Sequence, residues 1–201
     1  MTIDPLYLVL ENSAWVERML ACGVKLIQLR VKGAEDEALR AEIVRAKNLC
    51  ARAGARFVVN DHWRLALELG CAHVHLGQDD LAGADLAALR AAGLSLGVST
   101  ETEDDLDRAL TLGADWIALQ PIFATASKAF ERAPQGLARL RQWRERLNGR
   151  PLIAIGGIKL ENADAVFAAG ADCVALISDV TRAPDPERRA RDWLAATRRR
   201  L

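Results

Sequence analysis

The segment Gln28-Leu29-Arg30-Val31-Lys32 sets an amide and two cations on alternate positions. In a β-strand alternate side chains share a face, so Gln28, Arg30 and Lys32 are expected to point the same way. Cations turned inward without a partner are costly to bury, and an anionic ligand removes that cost. Two further runs end in carboxylates. Asp61 closes Phe57-Val58-Val59-Asn60-Asp61, and Asp80 closes Gly77-Gln78-Asp79-Asp80 just after Val74-His75-Leu76. Carboxylates from neighbouring strand ends suit an oxygen-ligated Mg2+, which keeps waters and also takes diphosphate oxygens. Arg30 and Lys32 would neutralise the rest of that diphosphate.

A second group of residues suits a smaller anion. Gly156-Gly157 follows the apolar run from Leu152, and Ile177-Ser178 follows Cys173-Val174-Ala175-Leu176. Both positions offer backbone N–H groups at strand ends, where phosphates bind readily. Lys128, in Thr125-Ala126-Ser127-Lys128, is placed to reach either anion. Two phosphorylated substrates in one pocket imply group transfer with diphosphate departing. No Ser-His-Asp arrangement or reactive cysteine stands out, and His62 and His73 read as structural. For Asn60 and Thr100, capping of the following helix is as good a reading as ligand contact.

These residues need a scaffold that gathers strand ends. Glycines that end helical patterns recur two or three residues before short apolar runs, at Gly23, Gly54, Gly70, Gly113 and Gly170. Glycine closes a helix in the left-handed conformation, and a strand that follows at once makes a short αβ connection. With Leu6–Leu10, Ser95–Thr100 and Leu152–Gly157, eight candidate strands emerge. Helical patterns lie between them, including Glu35–Ala53 and Glu101–Leu112. Strict alternation predicts a parallel sheet, and eight units in 201 residues predict an α/β fold, a single (β/α)8 TIM barrel, with residues 1–201 as one domain. An open doubly wound sheet is the alternative. Its usual GxGxxG turn is absent after the first strand, where Leu10 is followed by Glu11-Asn12-Ser13.

Composition narrows the setting. Lys plus Arg and Asp plus Glu both number 27, so there is no basic excess to hold nucleic acid. No apolar run approaches the roughly 18 residues that span a bilayer, and the first residues lack a secretory signal pattern. Cys22, Cys50, Cys71 and Cys173 are far apart without CxxC spacing, which fits reduced core thiols in a cytoplasmic protein. A homo-oligomer is left open.

The ordered set resembles the thiamine phosphate synthase family. It comprises Gln28-Leu29-Arg30-x-Lys32, Asn60-Asp61, His75-Leu76-Gly77-Gln78-Asp79-Asp80, Gly97-Val98-Ser99-Thr100, Pro121-Ile122-Phe123 leading to Thr125-x-Ser127-Lys128, Ala133-Pro134-Gln135-Gly136-Leu137, Ile153-Ala154-Ile155-Gly156-Gly157-Ile158 and Ile177-Ser178. The resemblance runs from Leu6 to about Val180. It implies a transferase of thiamine biosynthesis that joins a hydroxymethylpyrimidine diphosphate to a thiazole phosphate with Mg2+, by a dissociative route. It assigns Arg30, Lys32, Asn60 and Lys128 to the diphosphate, and Asp61 and Asp80 to the metal. Gln28, His75 and Ser99 would face the pyrimidine or the reacting centre. Thr125, Ser127, Gly157, Ile177 and Ser178 would hold the thiazole phosphate. Lys128, Ser99 and Arg30 are the catalytic candidates.

Departures from the family pattern are Glu101 for a frequent His, Gln120 for a frequent Gly, Ala124 for a usual Pro and Ser127 for a usual Thr. Two other readings of the same residues are a related thiazole tautomerase and a non-catalytic sensor of thiamine phosphates. The full diphosphate and metal set argues against the first, and the absence of an output module against the second. The 123–133 loop is expected to act as a lid.

Overall fold

A computed structural model describes residues 3–33, 36–125 and 133–198. The strands are β1 (Leu6–Leu10), β2 (Leu26–Leu29), β3 (Arg56–Asn60), β4 (His73–Leu76), β5 (Ser95–Thr100), β6 (Trp116–Leu119), β7 (Leu152–Ile155) and β8 (Cys173–Leu176). Every neighbouring pair is parallel, and β8 pairs back onto β1 through Leu6 and Val174, which closes the barrel. The helices between them are α1 (Ser13–Ala21), α2 (Asp36–Arg52), α3 (Trp63–Glu68), α4 (Gln78–Ala82), α5 (Leu86–Ala91), α6 (Glu103–Thr111), α7 (Gly136–Arg146), α8 (Ala163–Ala168), α9 (Ser178–Thr181) and α10 (Pro186–Thr197). The (β/α)8 expectation is met. Among the described residues no helix is long and apolar enough to cross a membrane.

The strands read as nearly continuous apolar runs because each is covered on both faces. Outward residues such as Leu6, Leu8 and Leu10 pack with Val16 of α1 and Ile43 of α2 in one large core. Inward residues form a separate cluster in the barrel, with Tyr7, Leu26, Val58, Trp116, Ile153 and Cys173. The barrel is therefore plugged below by side chains, and polar residues are tolerated only above that plug.

Local signals explain the boundaries. The five helix-ending glycines all have positive φ, from 58° at Gly70 to 104° at Gly170. Helix α6 starts two residues later than the pattern suggests, because Thr102 is its cap. The Thr102 hydroxyl accepts from Asp105 N, and the Asp105 carboxylate accepts from the Thr102 N–H. This reciprocal pairing satisfies two N–H groups that the helix itself leaves open. Strand β2 ends at Leu29. The Arg30 N–H still donates to the Leu10 carbonyl at 2.7 Å, so the ladder holds Arg30 but not Lys32.

Candidate active site

A cavity of about 750 Å3 opens at the C-terminal ends of the strands. Gln28, Arg30, Asn60, Asp61, His75, Asp80 and Ser99 line one side, and Thr125, Gly156, Gly157, Ile177 and Ser178 line the other. All the described site candidates except Lys32 thus converge on one space. Lys32 is exposed and lies outside the lining. Alternation places a side chain only while the pleat lasts, and β2 stops before Lys32. Ser127 and Lys128, and most of the expected lid, lie outside the described residues.

Asp61 follows β3 in the left-handed conformation, with φ 62°, a region that aspartate tolerates better than most residues. Its N–H donates to the His75 carbonyl at 2.9 Å, which pins the turn to β4. Asn60 Nδ2 donates to the Asp61 carboxylate. Asn60 therefore does not cap α3, whose cap position is His62 without a side-chain bond. Thr100 is not a cap either. It is buried, and its hydroxyl donates to the Ala118 carbonyl at 3.0 Å.

Asp80 sits in the first turn of α4 rather than on a strand. It comes within hydrogen-bonding reach of Asp61. Burial, then the neighbouring Asp80 charge, raises the Asp61 carboxyl above its ordinary value, while Arg30 and the Asn60 amide offset part of that rise. Two carboxylates forced together in this way form a hard oxygen donor pair that gains by taking a divalent cation. Among the described residues no group of three or more His, Cys, Asp or Glu side chains gathers as a metal cluster.

The wall between β4 and β6 is a chain of hydrogen-bond donors and acceptors that ends on Arg108. His75 Nε2 lies 2.9 Å from Ser99 Oγ, and Trp116 Nε1 donates to His75 Nδ1 at 3.3 Å. Burial pushes the His75 imidazole down to about 4, so it is neutral. Gln78 Nε2 donates to the Ser99 carbonyl at 2.8 Å and Arg108 Nη1 donates to Gln78 Oε1 at 3.3 Å. On the opposite wall Gln28 Nε2 donates to the Tyr7 hydroxyl of the neighbouring strand at 2.6 Å, which holds the Gln28 carboxamide in place.

The other side centres on the glycine turn after β7. Gly157 has φ 65°, and a Cβ there would lie 2.4 Å from the Ala124 carbonyl oxygen. Gly156 accepts from the Phe123 N–H at 2.9 Å, so the segment after β6 is fastened to the turn after β7. Asp179 also lines this side, but it accepts from Arg189 Nε at 2.9 Å and from Trp193 Nε1 at 2.6 Å. Its charge is taken up in holding α9 to α10. Gln120 and Glu101, two of the departures from the family pattern, both line the cavity and meet there, with Gln120 Nε2 3.5 Å from Glu101 Oε1.

Sequence reasoning missed Tyr7, Gln78, Arg108 and the contact made by Trp116. Tyr7 had one signal, a lone hydroxyl inside an apolar strand. Arg108 had none, since a cation within α6 reads as a solvated helix face.

The thiamine monophosphate synthase family matches residues 6–180 of the chain. A thiamine-phosphate synthase of Rhizobium etli is 51% identical over 197 residues, covering 98% of this chain and 97% of that protein. One from Salmonella dublin is 46% identical over 192 residues, covering 96% of this chain and 88% of the other. The solved thiamine phosphate pyrophosphorylase from Pyrococcus furiosus superposes with a TM-score of 0.86 at 27% identity, covering 98% of this chain and 97% of that one. Similarity that extends over the whole barrel, with the cavity residues inside the matched span, means that the chain belongs to the thiamine monophosphate synthase family.

Proposed function

We infer that this chain is a thiamine-phosphate synthase, a transferase of thiamine biosynthesis. It joins the methylene carbon of a hydroxymethylpyrimidine diphosphate to the ring nitrogen of a thiazole phosphate and releases diphosphate. The observation that carries this reading is the two-sided cavity, with charged side chains on one wall and a glycine-built turn on the other, in a chain of this family.

The reaction is read as dissociative. The bond from the methylene carbon to the diphosphate oxygen breaks first, and its electron pair leaves with the diphosphate. The nitrogen lone pair of the thiazole then forms the new carbon–nitrogen bond. Arg30 and Asn60 bind the diphosphate, and Lys128 is assigned to it as well. Arg30 and Lys128 act on the charge that grows as it departs. Asp61 and Asp80 would hold Mg2+ as a close pair of oxygen donors. Bound there, the ion would supply further positive charge to the leaving group.

Gln28, His75 and Ser99 orient the pyrimidine. Thr125, Ser127, Gly157, Ile177 and Ser178 hold the thiazole phosphate, and juxtaposition of the two rings removes the entropic part of the barrier. No general base is needed, which agrees with a neutral His75. The enzyme is read as one domain of residues 1–201 in the cytoplasm. Pairing of β8 with β1 supports the first statement, and the free state of all four cysteines supports the second.

The test is a direct assay. Purified protein with both substrates and Mg2+ is expected to form thiamine phosphate and diphosphate in equal amounts, and a chelator is expected to stop it. No product from folded protein that still binds either phosphate overturns the reading in favour of an isomerase or a sensor.

A further inference from the structure

His75, Gly97 and Trp116 stand in register across three adjacent strands, β4, β5 and β6. Gly97 is outside the set of glycines with positive φ, so its backbone conformation does not require glycine. Its space does. A Cβ on Gly97 would lie 2.0 Å from Trp116 Nε1 and 2.6 Å from His75 Nδ1. The missing side chain is the slot through which the indole of one strand reaches the imidazole two strands away.

We propose that Trp116 is a positioning residue: through the slot left by Gly97 its indole N–H fixes the tautomer of His75 and thereby makes the Ser99 hydroxyl a hydrogen-bond donor toward the cavity. An indole N–H can only donate. The Nδ1 atom of His75, 3.3 Å away, must therefore carry its lone pair. A neutral imidazole has a single N–H, which then sits on Nε2. That N–H donates to Ser99 Oγ at 2.9 Å. With one lone pair of Ser99 Oγ engaged in this way, its proton turns to the cavity that Ser99 lines. The site so prepared selects an acceptor atom on the substrate, such as an unprotonated ring nitrogen or an ester oxygen. In the other tautomer Nε2 would accept the Ser99 proton, and the donor would vanish from the cavity. The role in catalysis rests on the synthase reading; the tautomer does not.

The first readout is 15N NMR of the ligand-free protein labelled at histidine, with His62→Gln and His73→Gln variants assigning the three histidines. Wild type is expected to show His75 as the Nε2–H form, and Trp116→Phe, which keeps a ring and loses the donor, a mixture of both forms. The second readout is kinetic. Trp116→Phe should lower kcat/KM for the pyrimidine diphosphate by roughly tenfold, the effect of one lost hydrogen bond. The same change made in Ser99→Ala should cost almost nothing more, because the donor it controls is already gone.

An Nδ1–H form in wild type overturns the proposal, and this holds even if Trp116→Phe fails to fold. Fully additive losses in the double variant also overturn it, since they place Trp116 in general packing. Should wild type make no thiamine phosphate, the synthase reading falls while the NMR result still decides the tautomer.

Discussion

From β2 to β5 the cavity rim carries charged and amide side chains, and from β6 to β8 it turns on a pair of glycines flanked by hydroxyl and apolar residues. On the first side Arg30, Asn60, Asp61, His75, Asp80 and Ser99 each place a particular functional group, and several hold one another in place. On the second side Gly156 and Gly157 act by what they lack, giving room to Pro121, Phe123 and Ala124. The difference fits the two anions proposed for them. A diphosphate that must leave needs charge that responds to it, which the side chains, with the proposed Mg2+, would supply. A phosphate that is only held needs fixed dipoles at the right distance, which backbone N–H groups provide at no conformational cost.

Substitutions should separate the two sides in kind as well as in size. The largest effect is expected on the first side. Asp61→Ala or Asp80→Ala should lower turnover by on the order of 10²- to 10³-fold, the scale of a lost charge-stabilising group, and should weaken the response to Mg2+. Full activity in either variant removes that residue from the metal site. On the second side Gly157→Ala should act through binding, with KM for the thiazole phosphate raised on the order of tenfold to a hundredfold by a small misplacement. A fall in kcat alone would blur the distinction between the two sides.

A stability measurement sharpens the comparison further. Burial holds the His75 imidazole at about 4, below its ordinary 6.5. Between those values the unfolded chain binds a proton that the folded chain does not, so stability rises with pH and is lost on acidification from about 6.5 toward 4. The slope contributed by this one group reaches about 1.4 kcal/mol per pH unit at its steepest. Denaturant titrations of wild type and His75→Gln across that window should differ by this slope, and identical slopes would mean that His75 titrates normally. The smallest effect is expected for Gln120→Gly. Its amide touches Glu101 only at 3.5 Å, so thiazole use should stay within about twofold or improve, on the scale of one weak hydrogen bond. A tenfold loss would reveal a substrate contact by Gln120.

The side-chain wall is legible in the sequence because charge at strand ends is conspicuous against apolar strand bodies. Arg30, Asp61, Asp80 and Ser99 announce themselves by residue type. Periodicity also carries the barrel, since eight strand runs separated by helices and closing glycines leave few other arrangements. The same reasoning overreaches at Lys32, where the strand has ended, and it leaves Asn60 and Thr100 open between capping and ligand contact, where the fold shows that neither caps a helix.

Three things are decided only in three dimensions. Asp61 and Asp80 are nineteen positions apart; residue type sets both at neighbouring strand ends, but only the parallel pairing of β3 with β4 and the turn into α4 bring them within reach of each other. Gly97 reads in sequence as a flexible residue, and only the packing of β4, β5 and β6 shows it to be a gap that another strand's indole fills. Asp179 has no role legible in the sequence, and only the docking of α10 shows its charge met by Arg189. Residue type and period are local properties, so the chain alone determined the strands, the barrel and the kinds of group at its mouth. Which groups touch depends on the stagger and closure of the sheet, and that is set by the whole fold at once.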